Sequence, residues 1–314
     1  MLRIRRVLCS LLFLPAIAAH AAAPHVAFIV GEDEYKTWET LPAFAKEHLE
    51  PLGVKCTFVM ADPKNLNHFP DIAKIDDADV LFVSVRRRPM PEAELKHVRD
   101  FLKAGKPLVG IRTASHAFAA RKGQKPPEGT AEWIDFDVQV LGCQYDGHFS
   151  NTNGTDVAIA SHAQEHPILR GVRQASFHSG GTLYKCYNVN KAGLLLNGIT
   201  TDEGKPVTMP VAWTHQFNKS RVFYTSLGHP DDFKVPAFTR MLTNAVYWAA
   251  NQDPPAIADA GGESRDKLKD NLAGNDDVAR VMKAFKGKGE VGDDSVPTPP
   301  EDALKMFQVQ DGFE

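Results

Sequence analysis

Gly105-Lys-Pro-Leu-Val-Gly-Ile-Arg-Thr-Ala-Ser-His116 is the stretch whose reading decides the fold. An apolar run over residues 107–111 stops at small and polar residues, and an Ala-rich segment follows. The pattern predicts a buried strand that turns sharply into a helix. In open α/β sheets such a turn lies at the carboxyl edge, where ligands bind. In many hydrolases and amidotransferases it carries a Ser or Cys nucleophile. Here it reads Gly110-Ile-Arg112-Thr113-Ala114-Ser115-His116, so the setting of a catalytic elbow is present and its usual nucleophile is not.

The flanking sequence alternates in a matching way. Residues 25–30 predict a buried strand ending at Gly31, residues 41–49 carry apolar positions at helical spacing, and residues 55–60 predict a second strand. Residues 79–85 are nearly all apolar, as a strand covered on both faces must be. Leu95, Val98, Phe101 and Leu102 form one stripe of a helix over residues 91–102, and residues 106–111 are the fourth strand. Strands alternating with helices imply a parallel sheet with crossover helices. After the elbow the pattern predicts a short helix over 133–141, then strands at 155–160, 183–189, 194–200, 211–217 and 222–227. A last helix over 235–251 closes a single domain spanning residues 24–252.

Both ends differ from this body. Arg3, Arg5 and Arg6 precede an apolar run over 7–18 and a small-x-small site at Ala19-His20-Ala21, which reads as a signal peptide over residues 1–21. A buried N-terminal helix is the alternative. The run is too short to span a bilayer comfortably, and no later segment is long enough. The mature chain is therefore expected in the periplasm or secreted. Cys9 leaves with the signal, while Cys56, Cys143 and Cys186 remain as one disulfide plus a thiol or as three thiols. Residues 253–314 hold 14 Asp and Glu against 8 Lys and Arg, and read as an acidic, mostly flexible tail with one short helix at 278–285. The body then has 25 charges of each sign, which gives no electrostatic footprint for nucleic acid. Its one basic run, Arg86-Arg87-Arg88, sits in a loop before Pro89.

Six loops carry candidate chemistry. Glu32, Asp33, Glu34 and Tyr35 follow the first strand, where the acids serve as ligands, acid–base groups or sugar-hydroxyl acceptors, or else as a solvated helix-capping turn. Arg112 can clamp a carboxylate or polarise a carbonyl. Thr113 and Ser115 are nucleophiles only with a base in reach, and otherwise helix caps. His116 suits a base or a metal ligand, or is simply buried. Gly142-Cys-Gln-Tyr-Asp-Gly-His148 and Phe177-His178-Ser-Gly-Gly181 place two more histidines in loops. His162 and His166 are four apart, but Pro167 makes that segment a turn. Ser226-Leu-Gly-His229-Pro-Asp-Asp232 sets an imidazole beside an orienting carboxylate, Asp231 or Asp232, unless it is only a His-Pro-Asp turn. His116, His148 and His229 are a candidate ligand set for a divalent metal, although no tight metal motif is present.

Taken together, Gly31-Glu-Asp-Glu-Tyr35, Val109 to Phe118, the 142–148 loop, His166-Pro-Ile and Ser226-Leu-Gly-His-Pro resemble the ThuA-like (trehalose utilisation) family over residues 25–250. The resemblance implies a flavodoxin-like fold similar to class I glutamine amidotransferases: a mostly parallel sheet with helices on both faces. The amidotransferase pattern needs Cys at the elbow and His-x-Glu after a late strand. This chain has Arg112-Thr113 and His229-Pro-Asp-Asp, so thioester glutamine hydrolysis is not expected. The family implies carbohydrate metabolism, in particular disaccharides and their 3-keto derivatives. Residues 298–314 resemble the opening of exported dehydrogenase-like modules, which implies such a partner.

Two functions are compatible with these residues. One is an exported enzyme acting on a disaccharide, glycoside or 3-keto-sugar as a lyase or hydrolase. His229 would be its base, Arg112 or a metal the electrophile and His116 a second acid–base group, with Glu34, Tyr35, His148, His178 and Asp232 binding substrate. The other is a non-catalytic sugar-binding or interaction module partnering an exported dehydrogenase. There Tyr35, Trp38, Tyr145 and Phe149 would stack on sugar rings. Convergence of His116, His148 and His229 in one pocket separates the two.

Overall fold

Alternation along the first strand sets the layers. The computed structural model describes residues 22–150, 153–172 and 176–254. Residues 1–21, expected as a signal peptide, and the tail from residue 255 with its expected helix at 278–285 lie outside the described residues. In β1 (His25–Gly31), Val26, Phe28 and Val30 enter one buried cluster, while Ala27 and Ile29 enter another. Successive side chains of a strand point to opposite faces, so both faces of this one are covered.

The strands that follow are β2 (Lys55–Met60), β3 (Val80–Val85), β4 (Met90–Pro91), β5 (Leu108–Ile111), β6 (Thr130–Ala131) and β7 (Gln144–His148). The rest are β8 (Thr155–Ile159), β9 (Ser176–Ser179), β10 (Tyr184–Tyr187), β11 (Leu194–Asp202), β12 (Lys205–Phe217) and β13 (Ser220–Thr225). Nine of them form one sheet in the order β2-β1-β3-β5-β13-β12-β11-β8-β9. The first five run parallel. The remaining four extend the sheet antiparallel. β7 pairs with β10, and β4 with β6, outside the main sheet.

Helices α1 (Thr37–Phe44) and α3 (Pro236–Ala249) cover one face, where Leu41, Phe44, Phe238, Met241, Leu242 and Val246 meet Val26, Phe28 and Val30. Helix α2 (Glu92–Lys103) covers the other with Leu95, Val98, Phe101 and Leu102, beside Phe118, Phe136 and Leu141. Glu92 and Glu94 in its first turn and Lys103 in its last complement the helix dipole. This is the flavodoxin-like layering expected from the sequence. No described helix is long and apolar enough to cross a membrane.

The departures have local causes. No helix follows β5: a single 3-10 turn spans Arg112–His116. Beyond it, Arg121 to Gly129 holds two glycines, two adjacent prolines and no apolar stripe, so a helix could neither extend nor pack. The segment 133–141 is helical only as a wide turn over Asp137–Leu141, ended by Gly142 at φ 71°. The loops expected at 142–148 and 177–179 are the strands β7 and β9. Their polar, largely exposed residues give none of the apolar alternation by which strands are recognised. The three cysteines of the body are free. Cys143 and Cys186 are buried, and the neighbouring Cys186 thiol, followed by burial, holds Cys143 well above the ordinary thiol value.

Candidate functional site

The carboxyl ends of β1, β3, β5 and β13 come together, and the acidic loop after β1 is built from within. The buried Glu32 carboxylate accepts the Glu34, Tyr35 and Thr37 backbone N–H groups at 2.7, 2.6 and 2.6 Å, and the Thr37 hydroxyl at 2.8 Å. It closes the loop and has no lone pair aimed at a ligand. Asp33 and Glu34 turn to the basic run after β3. Arg86 Nε lies 2.7 Å from Glu34 Oε2, and Arg88 Nη2 lies 3.0 Å from Asp33 Oδ2. Glu34 is thus an ion-pair partner of Arg86 at the rim.

Arg112 is the centre of the elbow. Its φ of 45° lies in the left-handed region, which a non-glycine residue occupies at a cost of about 1–3 kcal/mol and which clusters at functional sites. The Tyr224 hydroxyl donates to its carbonyl at 2.6 Å. Its guanidinium is fully enclosed. Nη1 donates to the Thr182 and Ser226 carbonyls at 3.0 and 2.7 Å, and Nη2 donates to Tyr35 Oη and Thr182 Oγ1 at 3.2 and 3.0 Å. The rings of Tyr35 and Tyr184 sandwich it, with centroids 4.5 and 4.3 Å from Cζ. Burial opposes its charge, but Tyr184, Tyr35 and the Asp232 carboxylate outweigh that, so its pKa lies above the ordinary arginine value. Gly181 makes this possible, since a Cβ there would sit 3.0 Å from Cζ. Only Nε lacks a partner. Arg112 therefore acts as a fixed charge behind two phenols more than as a free clamp.

Thr113 and Ser115 are buried. Ser115 Oγ lies 3.1 Å from His116 Nδ1 and 3.4 Å from the Arg112 carbonyl. His116 stacks on Tyr145 at 4.5 Å and stands 6.0 Å from the Tyr184 ring. Burial first, and then Arg87, Arg86, Arg112 and Arg121, hold it well below the ordinary histidine value. It is neutral at pH 7 and a weak base.

His229 occupies the other flank. Its ring meets Tyr35 edge-on at 6.4 Å and is 29 % exposed. It packs over Gly180, where a Cβ would lie 2.8 Å from Nδ1. Nδ1 faces the Asp231 N–H at 3.3 Å and Asp231 Oδ2 at 3.5 Å, while no protein partner engages Nε2 among the described residues. The Asp231 N–H thus orients the ring, and the Asp231 carboxylate stands at ion-pair distance from it. Asp232, expected to bind substrate, is fully buried instead. Its Oδ2 accepts the Gly228 and His229 N–H groups and the Ser179 hydroxyl at 2.8, 3.0 and 2.9 Å, so it fixes the His229 turn from beneath.

His148 pairs in register with Tyr184, and His178 lies on the edge strand β9. His148 Nδ1 contacts the Phe149 carbonyl at 2.7 Å, and His178 Nδ1 meets Asp156 at 2.8 Å on the edge of the sheet. Among the described residues no group of three or more His, Cys, Asp or Glu is placed to hold a metal. The ligand set expected from His116, His148 and His229 is not assembled, and the Nδ1 of each ring faces a local partner: Ser115, the Phe149 carbonyl and the Asp231 N–H. Sequence reasoning missed Tyr184, Thr182, Arg87 and the glycine pair. Gly180-Gly181 was the available signal, since adjacent glycines often mark close backbone approach.

An α/β sheet covered on both faces, with a carboxyl-edge elbow bearing Arg in place of Cys, defines a protein of the class I glutamine amidotransferase-like fold without the acyl nucleophile. More specifically, the chain belongs to the ThuA family, described as trehalose utilisation, whose model matches residues 28–249. Two solved structures share the fold at low identity. A ThuA-like protein from Bacteroides uniformis is 18 % identical, with a TM-score of 0.53 over 76 % of this chain and 98 % of that one. A ThuA-like protein from Parabacteroides merdae is 15 % identical, with a TM-score of 0.53 over 75 % and 93 %. No curated protein matches the chain. Family membership links it to carbohydrate metabolism in general.

Proposed function

We propose that the chain is an exported enzyme of carbohydrate metabolism that acts on a glycoside or its 3-keto derivative by acid–base chemistry, with His229 as the proton-transferring group. The observation that carries this reading is the tyrosine–arginine–tyrosine stack flanked by His229. A carbonyl at C3 of a sugar acidifies the hydrogen at C2. The step uses the tautomer in which Nδ1 carries the ring proton toward Asp231 Oδ2, 3.5 Å away, and gives up the Asp231 N–H; Nε2 then takes the proton from C2, and the C–H electron pair moves into the forming enolate. The enolate expels the C1 substituent with its electron pair, C1 and C2 become doubly bonded, and the leaving oxygen takes up a proton. Asp231 steadies the imidazolium through Nδ1. The developing oxyanion needs a fixed positive field and hydroxyl donors in a dry setting. Arg112 supplies the field. Tyr35, hydrogen-bonded to Arg112 and partly exposed, supplies the donor, and the buried Tyr184, held protonated by burial, supports it from behind. Acyl transfer has no comparable support, since Thr113 and Ser115 are buried and the elbow lacks Cys.

A 3-keto substrate must come from an oxidoreductase, which agrees with the dehydrogenase-like resemblance of residues 298–314. The competing reading, a sugar-binding module, is favoured by one feature: four of the five Arg112 N–H groups are committed to protein acceptors. His229→Asn separates the two, because Asn keeps the turn-capping function. Turnover of a 3-keto-glycoside should fall by about 10²–10⁴-fold in that variant with the melting temperature retained. Unchanged turnover, or none in the parent protein, removes the catalytic reading.

A further inference from the structure

The Arg86-Arg87-Arg88 run is split by its own geometry. Arg86 and Arg88 are neutralised by Asp33 and Glu34, and Arg88 Nε also donates to the Gly31 carbonyl at 2.9 Å. Arg87 has φ 51°, so the chain reverses there. Its N–H donates to the His116 carbonyl at 2.8 Å, which pins it against the elbow. The groups that face its guanidinium are Tyr145, Tyr184, Arg121 and Arg86, none of them an acid. Among the described residues no hydrogen-bond acceptor or counter-ion engages it, although it is half-buried. Beside it, His116 is stacked on Tyr145 and kept neutral, in part by the same arginines.

We propose that Arg87, with Arg121, His116 and Tyr145, forms an anion-recognition subsite that takes a carboxylate or phosphate carried by the sugar. A half-buried guanidinium gives up part of its hydration, and among the described residues it has no ion pair in return. A left-handed backbone adds strain. Both are offset when an oxyanion arrives, because the planar guanidinium fork matches a carboxylate or phosphate in two parallel hydrogen bonds. Arg121 adds charge from the exposed side, and His116 and Tyr145 give the anion neutral neighbours that do not repel it. His116 and Tyr145 both meet the Tyr184 ring, at 6.0 and 4.9 Å, so the subsite adjoins the tyrosine–arginine–tyrosine stack. The substrate class is then an acidic sugar. This rests on the reading that the site beside the tyrosine–arginine–tyrosine stack binds the sugar.

Titration calorimetry of the full chain tests it, using glucuronate, glucose 6-phosphate, glucose and inorganic phosphate as probes. The acidic sugars should bind more tightly than glucose, and Arg87→Gln should weaken them about tenfold or more while leaving glucose unchanged. Arg87→Lys should recover part of the loss. Whichever of glucuronate and glucose 6-phosphate shows the larger dependence on Arg87 identifies the oxyanion. Equal binding by Arg87→Gln, or inorganic phosphate binding as tightly as both sugars, overturns the subsite. Arg87-dependent binding with unaltered turnover in His229→Asn leaves the subsite standing and removes the catalytic role. Loss of turnover in His229→Asn with no effect of Arg87→Gln on any probe does the reverse.

Discussion

Arg112 shows why a residue can be flagged by its neighbours in sequence and still be misjudged. The abrupt end of the strand at Ile111 marked it as an elbow residue. Its partners, Thr182 and Ser226, stand 70 and 114 positions away, and no local pattern announces them. The guanidinium that looked like a substrate clamp is held by the fold. His116 is similar: its place at the elbow was legible, but the burial that chiefly lowers its pKa, and the Arg87, Arg86 and Arg121 charges that add to it, come from other parts of the fold. That environment has a measurable consequence. A histidine whose folded-state pKa is depressed binds fewer protons than the unfolded chain between the two values. Its contribution to stability is fully present above the unfolded value of about 6.5, and is lost as pH falls from there towards the folded value. The urea midpoint should therefore fall between pH 7.5 and pH 5.5. His116→Gln, which cannot take up the proton, should flatten that slope. His48, His166 and His215 are also lowered, chiefly by burial, so part of the slope will persist. A slope identical in wild type and His116→Gln would contradict the assigned environment.

The parallel strands were readable because each is covered on both faces and is therefore almost continuously apolar. β7 and β9 were not, since burial touches only alternate residues or fewer, and their pairing is decided by partners far along the chain. The link between β9 and β10 matters most for the site. Ser179 reaches Asp232, Gly180 lies under His229, and Gly181 lies under Arg112, so three consecutive residues seat both flanks of the stack. Gly180→Ala tests this directly. The new methyl would come within 2.8 Å of Nδ1 and 3.0 Å of Cε1 of His229. The imidazole is a partly exposed side chain and can swing aside, so stability should change by less than about 1 kcal/mol while the ring is misplaced. Displacements of about 1 Å at a reacting group commonly cost about 10²-fold in rate. Turnover should fall by that order with the urea midpoint nearly kept. A variant that folds and turns over normally would show that His229 does not need its seat on Gly180.

Among the described residues, the buried members of both clusters lie between Val26 and Ala249, and the family match closes at residue 249. Composition marked the same limit, because apolar periodicity stops near residue 252 and acidic, Gly- and Pro-rich sequence takes over. The antiparallel order β13-β12-β11-β8-β9 was beyond sequence, since the strands were visible but their long-range partners were not. These limits lead to a prediction about the chain as a whole. If the two clusters on either side of the sheet supply the folding free energy, a chain cut after residue 254 should keep it, because no cluster residue is removed. Its melting temperature should stay within about 2 °C of the parent, where a loss of 1 kcal/mol in a domain of this size would show as about 2–4 °C. Turnover and Arg87-dependent binding should be retained, because every residue of the candidate site precedes the cut. A drop of more than about 5 °C would show that residues 255–314 contribute to the stability of the sheet domain. Retained stability with lost turnover would instead assign the tail a part in the reaction, and the acid–base scheme built on His229, Tyr35 and Arg112 would then be incomplete.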